Sequence, residues 1–288
     1  MAQSRDKLTL LTLNAHSWME PDNEVCLSAI AEAAQRENVD VIALQEINQD
    51  SCSAIAPQSA LTESGYVQSD DRLPIRVDNY ALALARRLRQ SGARWQWTWA
   101  YAHRGYRVFE EGLAILTRLD VLDTRSLCLS TDQPEGTPRY CRRQTVGTLL
   151  RTPVGDRWFY SAHMGWWKDP LDPFAKQWER LAQACEGQPA YLLGDFNNPA
   201  HVRGEGYDLM MSGGRWIDCY TRADDKDSGV TVAEQIDGWR SEKVDGMRID
   251  FTFTNQPGAT SRSRVIFNGA FYPVVSDHFG VLTEEWIS

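Results

Sequence analysis

Several polar residues attract attention because each ends a short apolar run: Asn14, Glu46, Glu111, His163, Asp195 with Asn197, Asp250, and Asp277 with His278. Side chains at strand ends face a common edge, while the apolar strand bodies hold them rigidly. Carboxylates and amides are hard oxygen donors that suit Mg²⁺ or Mn²⁺. Histidines beside carboxylates move protons or hold anionic oxygens. Hydrolysis of a phosphate ester needs a cation against the phosphoryl oxygens and a base that activates or orients water. It also needs donors that stabilise the transition state and assistance to the leaving oxygen. This set of residues provides all four.

Asp195 and Asn197 flank Phe196 after a buried apolar stretch. Alternation along extended backbone points both to one side. Asp195 is then placed to orient or deprotonate water, and Asn197 to donate to a phosphoryl oxygen. The same pair favours an Asx turn, and a turn and a site are compatible there. Of the adjacent Glu110 and Glu111 only one can face the site from an extended strand, and Glu111, which directly precedes the Gly112–Leu116 run, is the choice. His163 and His278 follow or begin apolar strands. His16, His103 and His201 are weaker candidates, with His16 placed to approach the site from its rim.

The elements that must position these residues alternate along the chain. Strands are expected at 8–14, 41–47, 113–116, 144–151, 158–163, 191–194, 248–254, 264–267 and 279–286. Helical spacing of Cys26, Ile30, Ala33 and Ala34 predicts a helix over 23–38, and Ala81, Leu84, Ala85 and Leu88 predict another over 78–90. Asp172-Pro173 opens a third, with a capping residue, a proline in the first turn and a buried face of Phe174, Trp178, Leu181, Ala182 and Cys185. Trp95, Trp97 and Trp99 alternate at period two and belong on one sheet face. Many strands with few helices predict an α/β fold of two packed sheets flanked by helices. No repeat or low-complexity linker divides the chain, so residues 1–288 read as one domain.

Composition narrows the function. A 42% hydrophobic fraction in 288 residues is enough for a sizeable core. Mean hydropathy is −0.45 and no long apolar run exists, so no membrane span is expected. Met1–Lys7 has no apolar core of a signal peptide. Six scattered cysteines form neither a C-x-x-C pair nor a zinc pattern, and reduced thiols in the cytoplasm are the simpler expectation. The net charge of −9 and the lack of basic runs beyond Arg86–Arg89 and Arg142-Arg143 weigh against a nucleic-acid groove. Eleven tryptophans are many, and Trp18, Trp166, Trp167 and Trp239 fall near the expected site loops, where indole faces can pack on a sugar. Arg107, Lys168, Arg240, Lys243 and Arg248 lie near the same loops. Arg107 and Arg248 are the best candidates to bind a terminal phosphate dianion.

Leu13-Asn14, Gln45-Glu46, Glu111–Leu116, Ser161-Ala162-His163, Gly194-Asp195-Phe196-Asn197, Arg248-Ile249-Asp250 and Ser276-Asp277-His278 occur in an order that resembles the endonuclease/exonuclease/phosphatase superfamily. That group includes DNase I-like nucleases, inositol phosphatases and sphingomyelinases. The resemblance covers nearly the whole chain. Asn14–Trp18, His163–Trp167, Asp227–Val232, Ile236–Arg240, Arg264–Gly269 and Pro273–His278 look most like the bacterial subgroup containing maltose 6'-phosphate phosphatases, with Ala15 where threonine is expected.

The resemblance implies a DNase I-like four-layer sandwich and a Mg²⁺- or Mn²⁺-dependent phosphoesterase. It implies Glu46 as the main metal carboxylate, with Asn14 and Asp277 as further metal or water-linked groups. Which of the three touches metal stays open. It also implies pairing of Glu111 with His163 and of Asp250 with His278, which would raise both histidine pKa values. The function expected is a cytoplasmic phosphomonoesterase acting on a small sugar phosphate such as maltose 6'-phosphate. The alternative is a nuclease acting on DNA or RNA. A lipid phosphodiesterase or a non-catalytic module fits less well, because the signal is absent and the polar set is complete.

Overall fold

A computed structural model describes residues 6–131, 141–233 and 246–287. Its strands are β1 (Asp6–Asn14), β2 (Val41–Asp50), β3 (Gln96–Gly105), β4 (Phe109–Thr117), β5 (Val121–Cys128), β6 (Gln144–Thr152), β7 (Gly155–His163), β8 (Ala190–Asp195), β9 (Ile217–Asp218), β10 (Asp225–Lys226), β11 (Asp250–Thr254), β12 (Ala259–Ile266) and β13 (Gly280–Ile287). The helices are α1 (Asn23–Arg36), α2 (Gln58–Ser64), α3 (Tyr80–Arg89), α4 (Phe174–Ala184), α5 (Gly206–Met211) and α6 (Cys219–Arg222). One mixed sheet runs β10-β12-β13-β1-β2-β4-β3, and the other runs β5-β6-β7-β8-β11-β9.

Alternation explains the layers. In β1, Leu10 points between the sheets, joining Val41, Ala43, Ile115, Phe159, Tyr191 and Leu193. Its neighbours Leu11 and Leu13 point the other way, under α1 and α3, with Ile30, Ala33, Leu84 and Leu88. Trp95, Trp97 and Trp99 join that outer layer, as their spacing predicts. On the far side Trp158, Tyr160, Leu192, Phe251 and Phe253 pack under α4 through Phe174, Trp178, Leu181 and Cys185. The result is the four-layer α/β sandwich expected from the resemblance. Helix α4 starts one residue later than its sequence predicts. Pro173 is the N-cap, and the Asp172 carboxylate instead accepts from Thr131 N and Gln177 Nε2.

Strand polarity brings the functional candidates to one edge. Asn14, His163 and Asp195 end β1, β7 and β8, while Asp250 begins β11 and His278 precedes β13. In the second sheet His163 is in register with Asp195, and Asp195 with Asp250, so three strands deliver three side chains in a row. Gly194 makes this close packing of β7 and β8 feasible. Its φ is +149°, and a Cβ there would sit 1.9 Å from the Ala162 carbonyl oxygen.

Two β-bulges redirect the first sheet. Leu44 pairs with Ala114 and Ile47 with Gly112, so Gln45 and Glu46 together oppose Leu113. Glu46 takes left-handed backbone, φ 55°, and turns to the edge. In β3 the register slips between Tyr101 and His103, which sets His103 opposite Glu111. Gln45, left buried by the bulge, donates to Ser161 Oγ at 2.8 Å, and that hydroxyl donates to the Leu44 carbonyl at 2.8 Å. These bonds tie the two sheets together directly beneath the site.

Candidate active site

Asp195 is the centre of the site. It is buried, and its Oδ1 accepts the Asn197 backbone N–H at 2.8 Å. Its Oδ2 accepts from Asn14 Nδ2 at 3.2 Å and from Asn197 Nδ2 at 3.3 Å. Two histidines flank the same oxygen, with Nε2 of His163 at 3.5 Å and Nε2 of His278 at 3.8 Å. Burial pushes the Asp195 pKa up; His278 and the amide donors oppose this, Asp250 adds to it, and the result is about 6. Asn197 stands in left-handed backbone, φ 50°, and also donates to the Met164 carbonyl at 3.0 Å. The strained turn and the site coincide.

The expected Asp250–His278 pair is present. Nδ1 of His278 lies 3.0 and 3.2 Å from the two Asp250 oxygens. Burial alone would lower the His278 pKa, but Asp250 and Asp195 outweigh it and raise the value to about 10. His278 is therefore an imidazolium at neutral pH.

The expected Glu111–His163 pair is not formed. The bulge in β3 presents His103 to Glu111, with Nε2 3.5 Å from Oε1. His163 stands in the other sheet and meets Glu46 only at 4.0 Å. Its pKa is lowered well below 6.5 by burial and by the nearby charges of Arg143, His103 and His278, the opposite of the shift the pairing implied. His103 instead is raised to about 9, because Glu111 and the Cys141 thiol at 3.4 Å overcome its burial. Glu110, the alternative to Glu111, is taken up by a bidentate pair with Arg76 and by Gln49.

Glu46 sits across the seam from Asp195, and Asn14 bridges them. One amide donates to Glu46 Oε1 at 2.9 Å and to Asp195 at 3.2 Å. Burial first, then Glu111 and Asp277, push the Glu46 pKa up to about 7. A half-buried carboxylate in so much like charge fits a divalent cation, which would relieve the repulsion, and the nearby donors are hard oxygens. Two groups of ligand-type atoms each lie within 4.8 Å of one another: Asp195 with Asp250 and His278, and His16 with Glu20 and Asp277. His16 reaches the rim as its motif suggests. Its Nδ1 is 2.9 Å from Glu20 and 3.9 Å from Asp277, and its pKa is raised, Asp277 and Glu20 overcoming burial.

The substrate-binding candidates fare unevenly. Arg107 is exposed in the turn between β3 and β4. Arg248 is committed elsewhere: its Nη1 lies 2.8 Å from the buried Asp218 carboxylate, and its guanidinium stacks on Tyr207, Tyr220 and Phe251. Trp166 is half-buried at the edge, whereas Trp167 packs inward near Phe174. Trp18 faces the core beside Tyr80 and donates to the Asp78 carbonyl. Lys168 pairs with Glu205. Trp239, Arg240, Lys243 and the Ile236–Arg240 segment lie outside the described residues. Sequence reasoning missed Arg143, whose adjacency to Arg142 reads as surface charge, yet whose side chain is buried beside the site.

A two-sheet sandwich with carboxylates, amides and histidines gathered on its seam is the architecture of the DNase I-like class. The family model described as "Endonuclease/Exonuclease/phosphatase family" matches residues 18–278, and the chain belongs to that family. Its members are hydrolytic phosphoesterases. No curated protein matches the sequence.

Among solved structures, an endonuclease/exonuclease/phosphatase family protein from Leptotrichia buccalis is 27% identical. The match covers 97% of this chain and 100% of that one, with a TM-score of 0.83. A mannosyl-6-phosphatase from Bacteroides thetaiotaomicron is 18% identical over 97% and 100% of the two chains, with a TM-score of 0.64. TDP2 from Caenorhabditis elegans is 15% identical over 98% and 75%, with a TM-score of 0.61. These last two similarities show the fold.

Proposed function

We propose that this protein is a divalent-metal-dependent phosphomonoesterase acting on a small sugar phosphate, of which maltose 6'-phosphate is one example. The carrying observation is the Asp195 carboxylate, set between the neutral His163 and the charged His278 and joined to Glu46 through Asn14.

Asp195, ionised above pH about 6, holds a water and takes its proton. Asn197 and Asn14 fix that carboxylate, and Asn197 donates to a phosphoryl oxygen by exchanging its bond to the Met164 carbonyl. The His278 imidazolium, oriented by Asp250, stabilises the charge that builds on the phosphoryl group. His163, neutral and close to both carboxylates, offers a donor on the opposite side. Glu46, with Asn14 and Asp277 adjacent, would hold Mg²⁺ or Mn²⁺. That ion, when bound, supplies neutralisation of the phosphoryl oxygens.

Three observations support a small sugar phosphate over nucleic acid. The net charge is −9, Trp166 lies at the rim, and one protein of the same fold is a mannosyl-6-phosphatase. No described helix is long and apolar enough to cross a membrane. Six free cysteines, two of them exposed, favour a reducing compartment such as the cytoplasm.

The test is phosphate release from a panel of sugar phosphates, with single- and double-stranded DNA and RNA in parallel. Turnover of a sugar phosphate that stops with EDTA and returns with Mg²⁺ or Mn²⁺ is expected. Nucleic-acid cleavage without sugar-phosphate turnover would overturn the substrate class, and full activity after exhaustive chelation would remove the metal.

A further inference from the structure

Arg143 is a residue at this edge that the proposed chemistry has not used. It immediately precedes β6, whose first residue, Gln144, is in register with His163. Its backbone is pinned: the amide donates to Ser130 Oγ at 2.6 Å, and the carbonyl accepts from Leu129 at 2.9 Å. The residue is only 4% exposed. Its guanidinium lies 5.1 Å from the centre of the Trp166 ring. Among the described residues no carboxylate comes within ion-pair distance of it and no side-chain hydrogen bond holds it.

A buried cation without a counter-charge is costly, because it forfeits hydration and gains nothing in exchange. One aromatic face returns little of that cost. The Arg143 charge works against protonation of His163 and of His103, although Glu111 and Cys141 still leave His103 raised. Against burial it helps to lower the pKa of the Cys141 thiol, so it stands among two imidazoles and a thiol. The indole N–H of Trp166 is also buried, and it too has no acceptor among the described residues. Two donors without acceptors therefore share one contact, beside the histidine that flanks Asp195. Such an arrangement is complete only when an anion arrives.

We infer that Arg143, stacked on Trp166, binds the terminal phosphate dianion of the substrate and selects monoesters over diesters. The inference rests on the phosphomonoesterase reading and deepens it. A planar guanidinium can hold two phosphoryl oxygens at once. A monoester presents an additional charged oxygen that a diester has esterified, so a cation fixed on that side discriminates between them. The role expected of Arg107 and Arg248 passes to Arg143, since the first is exposed and the second is neutralised by Asp218.

The experiment compares wild type, Arg143→Met and Arg143→Lys on para-nitrophenyl phosphate and bis(para-nitrophenyl) phosphate, and titrates inorganic phosphate calorimetrically. Loss of a positioned charged donor should cost Arg143→Met about 100-fold in kcat/KM on the monoester and about threefold or less on the diester. Affinity for inorganic phosphate should fall at least about tenfold, with Arg143→Lys intermediate because a point charge keeps attraction but not the fork. The melting temperature of Arg143→Met without phosphate should equal or exceed that of wild type. Equal losses on the two esters, or unchanged phosphate affinity, would overturn the inference. If Arg143→Met does not fold, the ratio of monoester to diester loss in Arg143→Lys decides the matter in the same way. If wild type turns over only the diester while phosphate binding still collapses in the variant, the anion site stands and the monoesterase reading falls.

Discussion

His163 and His278 both direct Nε2 at the same oxygen of Asp195, at 3.5 and 3.8 Å, and both are buried. They nevertheless carry different charges. His278 has a carboxylate behind it, 3.0 Å from Nδ1, and stays protonated to about pH 10. His163 has Arg143, His103 and His278 around it and is neutral. Distance to the central aspartate is nearly the same, so what stands behind each ring decides its state. One position supplies fixed charge and the other a neutral donor, which is how two identical side chains divide the work at one phosphate.

The largest effect should come from removing the group the two histidines share. Asp195→Asn keeps the shape but cannot accept a proton, and kcat should fall by about 10⁴-fold in steady-state assays. Next, Asp250→Asn should make His278 resemble His163. Activity should drop by about 10²-fold, and the alkaline limb of the pH–rate profile should move down from about 10 towards neutrality. A limb that stays in place would show that Asp250 does not hold the charge. The stability readout has a definite sign. The folded pKa of His278 lies above the ordinary 6.5, so its contribution is full below pH 6.5 and is lost as pH rises through about 10. Wild type should therefore lose melting temperature across that interval, and Asp250→Asn should lose less.

A smaller effect, about 10- to 100-fold in kcat, is expected for His163→Gln, which retains a donor but not the ring. The acid limb near pH 6 belongs to Asp195 and should remain. Smallest in activity is Arg248→Met, which leaves kcat within about twofold but strands the buried Asp218 carboxylate, at about 3 kcal/mol of stability read by denaturant unfolding. A large kcat loss at full stability would return Arg248 to the site.

The sequence made the second sheet's share of this site legible and the first sheet's only partly so. Asp195 closes the apolar Tyr191–Gly194 stretch, and His163 and Asp250 bound the strands on either side of it, so their strand ends could be read directly. The Glu111 partner could not, because one extra residue in β3 sets His103 opposite it, and a bulge leaves no trace in a period-two pattern. Arg248 adjoins a recognisable motif, but its counter-ion is thirty residues away in Asp218. Arg143 registers in the sequence only as half of the short basic run Arg142-Arg143, since burial of an unpaired cation is a property of the assembled neighbours. Short elements such as α2, α5 and β9 carry too few residues for periodicity to register.

The seam bridged by Asn14 has a kinetic meaning. Glu46 belongs to one sheet and Asp195 to the other, and the Gln45–Ser161 bond that fixes their spacing also crosses between sheets. Either sheet can form its own strands without completing the shared centre. During refolding, then, recovery of secondary structure and recovery of turnover report on two separate events. Enzymatic activity becomes a clock for the docking of one sheet onto the other.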